Sequence, residues 1–206
     1  MKILNLYAGI GGNRKLWGND HNITAIEIEP NIAKIYQDFF SNDKIIVTDA
    51  HQYLLDHFEE YDFIWSSPPC PTHSRPMYIG CYHKDGTLAY RPKYPDMQLY
   101  QEILLLKCYF KGKYCVENVI GFYEPLIPPY IMAQHYFWTN FHISHIEGKS
   151  REHYGGIEKL QEKKQFDLSQ YKNIDKIKTL RNCVEPAVGL HILNESQRNI
   201  YSELFV

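Results

Sequence analysis

The first 66 residues alternate between short apolar segments and segments with helical spacing, and this alternation constrains the fold more than any other feature of the chain. The predicted strands are residues 3–7, 23–27, 45–47 and 61–65. Pro30 suits the first turn of one intervening helix, and Asp49 suits the N-cap of the next. Strands separated by helices indicate an α/β fold with a mostly parallel sheet and helices on both faces.

The rest of the chain predicts three further parts. Residues 71–95 form a loop rich in Pro, Gly, Tyr and His, followed by a helix with Asp96 as N-cap and a strand over residues 113–117. Residues 144–178 are polar, which is typical of a small insertion. We therefore divide the chain into a core over residues 1–143, the insertion, and a C-terminal segment over residues 179–206 that returns to the core.

Bulk properties limit the possible functions. The chain has 206 residues, 44% of them hydrophobic, and no uninterrupted apolar run near the roughly 20 residues that span a bilayer. It begins Met1-Lys2-Ile3-Leu4 without a secretory signal pattern, and its five cysteines lack CxxC spacing, so we expect a cytoplasmic protein with reduced thiols and no membrane partner. The net charge of −2 means that any basic face for a nucleic acid must be local.

A glycine-rich turn follows the first strand, at Ala8-Gly9-Ile10-Gly11-Gly12. Glycines between a strand and a helix let backbone N–H groups approach a ligand, and an acid ending the next strand, Glu27, can accept ribose hydroxyls. A tight turn without a ligand is the alternative, and the missing third glycine argues against an NAD fingerprint. Asp49 can be a plain N-cap, contact an adenine amino group, or do both.

Cys70 follows Pro68-Pro69 at the end of the fourth apolar run. Two prolines fix the backbone and present the next side chain rigidly where a strand opens into a loop. The alternatives are a small buried hydrophobic residue or a zinc ligand together with His73, Cys81 and His83. The Cys81-Tyr82-His83 spacing does not fit a zinc finger, so we predict no metal.

Glu117 follows the apolar run Tyr114-Cys115-Val116. An ionised side chain there is costly unless it serves a site or has a partner, although a capping carboxylate in a loop is the simpler alternative. Asn118 could orient it. A cysteine nucleophile and a glutamate that exchanges a proton are the two groups that addition to a pyrimidine ring requires.

These motifs, in this order, resemble those of the cytosine-C5 DNA methyltransferase family. Residues 6–12 are similar to its cofactor motif, with Tyr7 where Phe is usual. The turn ending in Cys70 is similar to its nucleophile motif, and residues 117–119 to the motif that holds the target base. Residues 181–188 resemble a degenerate form of the motif that returns the chain to the cofactor site.

The resemblance implies a Rossmann-like S-adenosylmethionine-dependent methyltransferase fold and a DNA (cytosine-5-)-methyltransferase that acts through a covalent Cys70 adduct on a flipped cytosine. Residues 1–143 are then the catalytic core. The implied catalytic residues are Cys70, Glu117 and Asn118. The implied cofactor-binding residues are Tyr7, Ala8, Gly9, Gly11, Gly12, Glu27, Ile28, Asp49, Ala50, Pro68, Asn182 and Cys183. The implied contacts to double-stranded DNA are Ser74, Arg75 and Arg151.

Three departures from the family pattern concern the handling of DNA. Pro71 stands where the family has Gln, and no arginine pair follows Glu117, for which Arg151 is a weak substitute. Residues 134–141 occupy that place, and their aromatic side chains are expected in the core. The recognition segment is reduced to about residues 144–178, so target recognition should be short, relaxed or dependent on a protein partner.

Two other functions remain open on the sequence. An exocyclic amino-methyltransferase shares the fold and a similar Pro-Pro turn, but places an aromatic residue where Cys70 stands. A catalytically inactive methyltransferase fold that binds DNA or protein would explain the reduced recognition segment, although Cys70 and Glu117 count against it. RNA also remains open as the substrate.

Overall fold

A seven-stranded mixed sheet forms the centre of the protein in the computed structural model, which describes residues 1–146 and 156–198. The strand order is β3-β2-β1-β4-β5-β7-β6. Neighbours from β3 to β5 pair in parallel, whereas β7 pairs antiparallel with both β5 and β6. The strands are β1 Lys2–Leu6, β2 Asn22–Glu27, β3 Lys44–Val47, β4 Phe63–Ser66, β5 Lys113–Val119, β6 Tyr130–Met132 and β7 His135–Thr139.

Seven α-helices accompany this sheet within the described residues. They are α1 Pro30–Phe39, α2 Ala50–His57, α3 Arg75–Ile79, α4 Gln98–Tyr109, α5 Ile157–Lys164, α6 Lys176–Arg181 and α7 Pro186–Gln197, and a 3₁₀ helix, Phe58–Glu60, follows α2. The predicted Rossmann-like α/β fold, with a mostly parallel sheet and helices on both faces, is confirmed.

Alternating strand residues face two separate cores. Leu4 of β1 packs with α2 and α4 on one face of the sheet, and Ile3 packs with α7 on the other. A third cluster joins α1, α5 and α6 through Tyr36, Leu160 and Leu180. Helices therefore cover both faces, because each strand buries side chains on both of its sides.

Several predicted boundaries differ from the structure. No helix follows the glycine turn, because residues 7–21 form successive turns in which Gly11 and Gly18 have positive φ. The short helix α3 interrupts the loop predicted over residues 71–95. Met97, not Asp96, is the N-cap of α4, although the Asp96 carboxylate accepts a hydrogen bond from the Gln98 N–H at 3.0 Å.

The polar segment over residues 144–178 is described only in part, because residues 147–155, which include Arg151, lie outside the described residues. Its helix α5 contributes Leu160 to the cluster on α1. The division of the chain into a core, an insertion and a returning segment stays a prediction. Among residues 1–146 and 156–198, no helix combines the length and apolarity needed to cross a bilayer.

Candidate active site

An open cleft of about 1520 Å³ lies at the carboxyl ends of the parallel strands. The structure brings most of the predicted site residues together there. Those that line the cleft are Tyr7, Ala8, Gly9, Gly12, Glu27, Ile28, Asp49, Ala50, Pro68, Cys70, Glu117, Asn118, Asn182 and Cys183. Gly11, Ser74 and Arg75 do not line it, and Arg151 lies outside the described part of the chain.

The glycine turn is held by the acid that ends β2. The Gly9 N–H donates a hydrogen bond to Glu27 Oε2 at 2.9 Å, and the Glu29 N–H donates one to Glu27 Oε1 at 2.9 Å. Gly9 has a φ of +54°, and a Cβ added there would meet no atom within 4 Å. Glu27 thus fixes the turn while its carboxylate stays at the cleft wall, and the open space beside Gly9 admits a ligand against the backbone.

Gly11 and Gly12 serve close packing. Gly11 has a φ of +86°, and a Cβ there would collide with the ring of Phe40, the C-cap residue of α1. A Cβ on Gly12 would lie 2.7 Å from the Val184 carbonyl oxygen and 2.8 Å from Cys183 Cβ. Gly11 is therefore required by the fold behind the cleft, whereas Gly12 lets the C-terminal motif reach the cleft wall.

Asp49 is an N-cap that also borders the cleft. Its Oδ1 accepts a hydrogen bond from the Gln52 N–H at 2.8 Å, which confirms the predicted cap of α2. Its side chain is exposed and lines the same cleft as Glu27. The carboxylate can therefore accept a further hydrogen bond from a ligand.

The turn that carries Cys70 is anchored by Asn118. The Asn118 side-chain amide donates a hydrogen bond to the Pro68 carbonyl at 3.0 Å, and its Oδ1 accepts one from the Val119 N–H at 2.9 Å. We expected Asn118 to orient Glu117, but adjacent residues of a strand point to opposite faces. Asn118 instead ties the Cys70 turn to β5.

Burial raises the pKa of the Cys70 thiol, and the negative charge of Glu117 raises it further. The Cys70 carbonyl accepts hydrogen bonds from the N–H groups of His73 and Ser74, at 2.9 and 3.0 Å, so the backbone around the thiol is fixed. In the free protein the sulfur is therefore held as a thiol beside a carboxylate.

Glu117 lies inside β5 and not at the strand end that the sequence predicted. Pairing with β7 extends β5 to Val119 and places Glu117 opposite Phe137. The residue is 7% exposed and lines the cleft. The Nε2 atom of His135 lies 3.7 Å from Glu117 Oε1.

A fully buried carboxylate connects the two strands that lead into the site. Glu102 of α4 accepts hydrogen bonds from the Tyr7 hydroxyl and from Ser66 Oγ, each at 2.6 Å, and His51 Nδ1 lies 3.0 Å from its Oε1. Tyr7 follows β1 with a φ of +54°, and Ser66 ends β4. The network fixes the strand ends from which the glycine turn and the Cys70 turn depart.

The C-terminal motif closes one side of the cleft. Lys164 Nζ donates a hydrogen bond to the Cys183 carbonyl at 2.6 Å and lies 2.8 Å from Glu185 Oε1. Lys163 Nζ lies 3.2 Å from the same carboxylate oxygen. These contacts join α5 to the start of α7 and hold Asn182 and Cys183 at the cleft wall.

The loop after Cys70 carries two of the predicted DNA contacts, Ser74 and Arg75. Arg75 Nε donates a hydrogen bond to the Gly121 carbonyl at 2.7 Å, and Ser74 forms an isolated bridge with Gly121. These contacts tie the start of the loop to the segment after β5. Across the described residues, no group of three His, Cys, Asp or Glu side chains is arranged to hold a metal ion.

Residues 1–90 match the family model of the C-5 cytosine-specific DNA methylases. The resemblance to the cytosine-C5 methylase family is confirmed. The match includes the glycine turn, Glu27, Asp49 and Cys70, and ends before Glu117. No curated protein sequence matches the chain.

Two solved structures similar to the chain are methyltransferases. One is a triple mutant of DNMT2 from Spodoptera frugiperda, with 26% sequence identity and a TM-score of 0.38 over 59% of this chain and 36% of that one. The other is a SAM-dependent methyltransferase from Agrobacterium tumefaciens, with 12% identity and a TM-score of 0.41 over 58% of this chain and 38% of that one. The chain spans well under half the length of either protein.

Sequence reasoning missed two residues of the site. Glu102 carries a local signal, because it lies among Leu99, Ile103 and Leu106 at helical spacing and so falls on the buried face of α4. His135 carries no such signal. Its approach to Glu117 depends on the register between β5 and β7.

Proposed function

We propose that the protein is an S-adenosylmethionine-dependent DNA methyltransferase that acts on C5 of cytosine through a covalent Cys70 adduct. The observation that supports this most strongly is the position of Cys70, held on a turn anchored by Asn118, beside Glu117 in the cleft that also contains the Gly9–Glu27 turn. A nucleophile, a proton partner and a nucleoside-sized site thus share one cavity.

The cleft wall fits the cofactor. The open space at Gly9 admits the chain of the cofactor against the backbone, Glu27 can accept its ribose hydroxyls, and Asp49 can accept its adenine amino group. Asn182 and Cys183 complete the opposite wall. When bound, S-adenosylmethionine supplies an electrophilic methyl group.

The roles proposed for the two catalytic side chains follow from their chemistry. The target cytosine leaves the helix stack, because its ring carbons cannot be reached inside a duplex. The Cys70 thiolate forms a bond to C6, and the displaced electron pair moves into the ring as Glu117 gives a proton to N3. After C5 has accepted the methyl group, the C5 proton leaves to solvent and the bond between sulfur and C6 breaks. N3 returns its proton to Glu117, so these steps restore the Cys70 thiolate and the Glu117 carboxyl group and leave 5-methylcytosine.

The arrangement couples activation of the nucleophile to binding of the base. The charge of Glu117 raises the pKa of Cys70 while the cleft is empty. A cytosine N3 that shares the proton of the Glu117 carboxyl group keeps that side chain neutral, and a neutral neighbour no longer opposes the thiolate. Cys70 therefore becomes more reactive when a base occupies the site.

Duplex DNA is the substrate that we propose, with a local rather than a global electrostatic attraction. The loop after Cys70 carries exposed cationic or titratable side chains, which are Arg75, His83, Lys84, Arg91 and Lys93. Such groups can neutralise phosphates despite the net charge of −2. Because residues 144–178 offer few side chains to base edges, we propose short or relaxed recognition, or recognition that depends on a protein partner.

Bisulfite sequencing of DNA from cells that express the chain tests this function. New 5-methylcytosine should appear with the wild-type protein and with a Cys108→Ala variant, because Cys108 is exposed on α4 and does not line the cleft. A Cys70→Ala variant should produce none. Methylation only of exocyclic amino groups would support an amino-methyltransferase, 5-methylcytosine only in RNA would reassign the substrate, and DNA binding without methyl transfer would support a binding module.

A further inference from the structure

Glu117 and His135 form an isolated pair of titratable side chains at the floor of the cleft. In the antiparallel ladder His135 lies opposite Val119, and Glu117 lies opposite Phe137. Glu117 and His135 are therefore diagonal neighbours on one face of the sheet. His135 Nε2 lies 3.7 Å from Glu117 Oε1, and both residues line the cleft with Cys70.

The backbone fixes the His135 ring and its tautomer. His135 Nδ1 lies 2.9 Å from the Ala133 carbonyl oxygen, which can only accept a hydrogen bond, so Nδ1 carries a proton. Nε2, the nitrogen that faces Glu117, consequently carries a proton only when the ring is an imidazolium. The state of the pair then depends on whether one proton is present between Nε2 and the carboxylate.

His135 is also the basic side chain best placed to balance the charge of Glu117. The sequence contains no lysine or arginine from residue 118 to residue 146. In the described part of the cleft wall, the lysines and the arginine all come from α5 and α6. The other titratable groups beside the pair are Cys70 from the loop after β4 and buried Cys115 on the same face of β5, and Tyr130 lies on the same face of β6.

We propose that His135 is a positioning residue that shares one proton with Glu117 and so sets the charge next to Cys70. This inference rests on the proposed function, because it assigns the source of the proton that Glu117 gives to N3. When Glu117 gives the shared proton to N3, the pair keeps no second proton, which leaves an ionised carboxylate and a neutral imidazole. The proton on N3 balances that carboxylate, so the charge summed over the pair and the base does not change during the transfer.

Alkylation of Cys70 tests this pair without requiring methyl transfer. The rate of iodoacetamide modification would be measured by peptide mass spectrometry from about pH 6 to about pH 9, with exposed Cys108 as the internal reference. His135→Ala should slow modification of Cys70 about tenfold, because a rise of about one unit in the pKa of a thiol lowers its thiolate fraction about tenfold. His135→Arg, which carries a fixed positive charge, should restore the rate.

Two further variants separate the pair from general effects. Glu117→Gln removes the carboxylate charge, so adding His135→Ala in that background should change the Cys70 rate less than twofold. His57, at the C-terminal end of α2, forms an exposed pair with Glu60, and His57→Ala should leave the rate of Cys70 modification unchanged. The inference is overturned if His135→Ala leaves Cys70 alkylation unchanged, or slows it equally with and without Glu117. An altered alkylation profile in a protein that never methylates cytosine would instead overturn the proposed function alone.

Discussion

Replacing Glu102 by alanine should lower the free energy of unfolding by about 3–5 kcal/mol, the usual cost of breaking a buried charged network by removing one partner. Glu102 and Ser66 are both 0% exposed, so the Ser66 hydroxyl would lose its acceptor at a cost of about 1–3 kcal/mol. The Tyr7 hydroxyl would lose one as well. Glu102→Gln keeps an acceptor of the same shape and should cost only about 1–2 kcal/mol.

Urea unfolding followed by tryptophan fluorescence measures this effect. With a slope of about 2 kcal/mol per molar urea, the alanine variant should unfold about 1.5–2.5 M earlier than the wild type. Gln101→Ala, one position away on the exposed face of α4, is the matched control, and its free energy of unfolding should stay within about 0.5 kcal/mol of the wild-type value. A cost below about 1 kcal/mol for Glu102→Ala would refute the argument that this carboxylate holds the two strand ends.

Three other predictions concern single residues that line the cleft or lie behind it. Gly11→Ala should lower the free energy of unfolding by about 2–4 kcal/mol, because the added Cβ collides with a neighbouring ring at a residue whose φ is +86°. Gly9→Ala, which has open space around the added Cβ, should lower it by only about 1 kcal/mol. Both values can be measured in the same urea titration. Glu27→Ala should weaken S-adenosylmethionine binding by about 1–3 kcal/mol in a calorimetric titration, and equal affinity would contradict its role. The hydrogen bond with Glu102 raises the pKa of His51 above 6.5. The stability that His51 contributes should therefore be complete below pH 6.5 and should decline as the pH rises through the higher folded pKa. A His51→Asn variant should lack this decline when the free energy of unfolding is measured against pH.

The sequence was sufficient for the part of the fold that depends on local periodicity. The strands and helices of the first 66 residues, the Asp49 cap and the arrangement of Glu27 and Cys70 at one edge follow from alternation and from the rule for parallel strands. The aromatic core of residues 134–141 was also predicted, and Tyr136, Phe137 and Trp138 are buried.

Features that depend on long-range pairing could not be predicted in the same way. Glu117 was expected at a strand end, but β7 extends β5 by two residues beyond it. The hydrogen bond from Asn118 to Pro68 joins residues 50 positions apart, and the approach of His135 to Glu117 requires the β5–β7 register. A shift of one residue in that register would turn these side chains to the opposite face.

Covalent trapping of Cys70 tests the central claim most directly. A thiolate that has added to C6 leaves only when C5 loses a proton, so fluorine at C5 should arrest the protein on its substrate. Duplex DNA that contains 5-fluorocytosine at a methylated site should give a complex that resists denaturation when S-adenosylmethionine is present. Cys70→Ser should form no such complex, because a hydroxyl is far less ionised than a thiol near neutral pH. Methylation of cytosine at C5 by Cys70→Ser at the wild-type rate, without a trapped complex, would contradict the proposed mechanism.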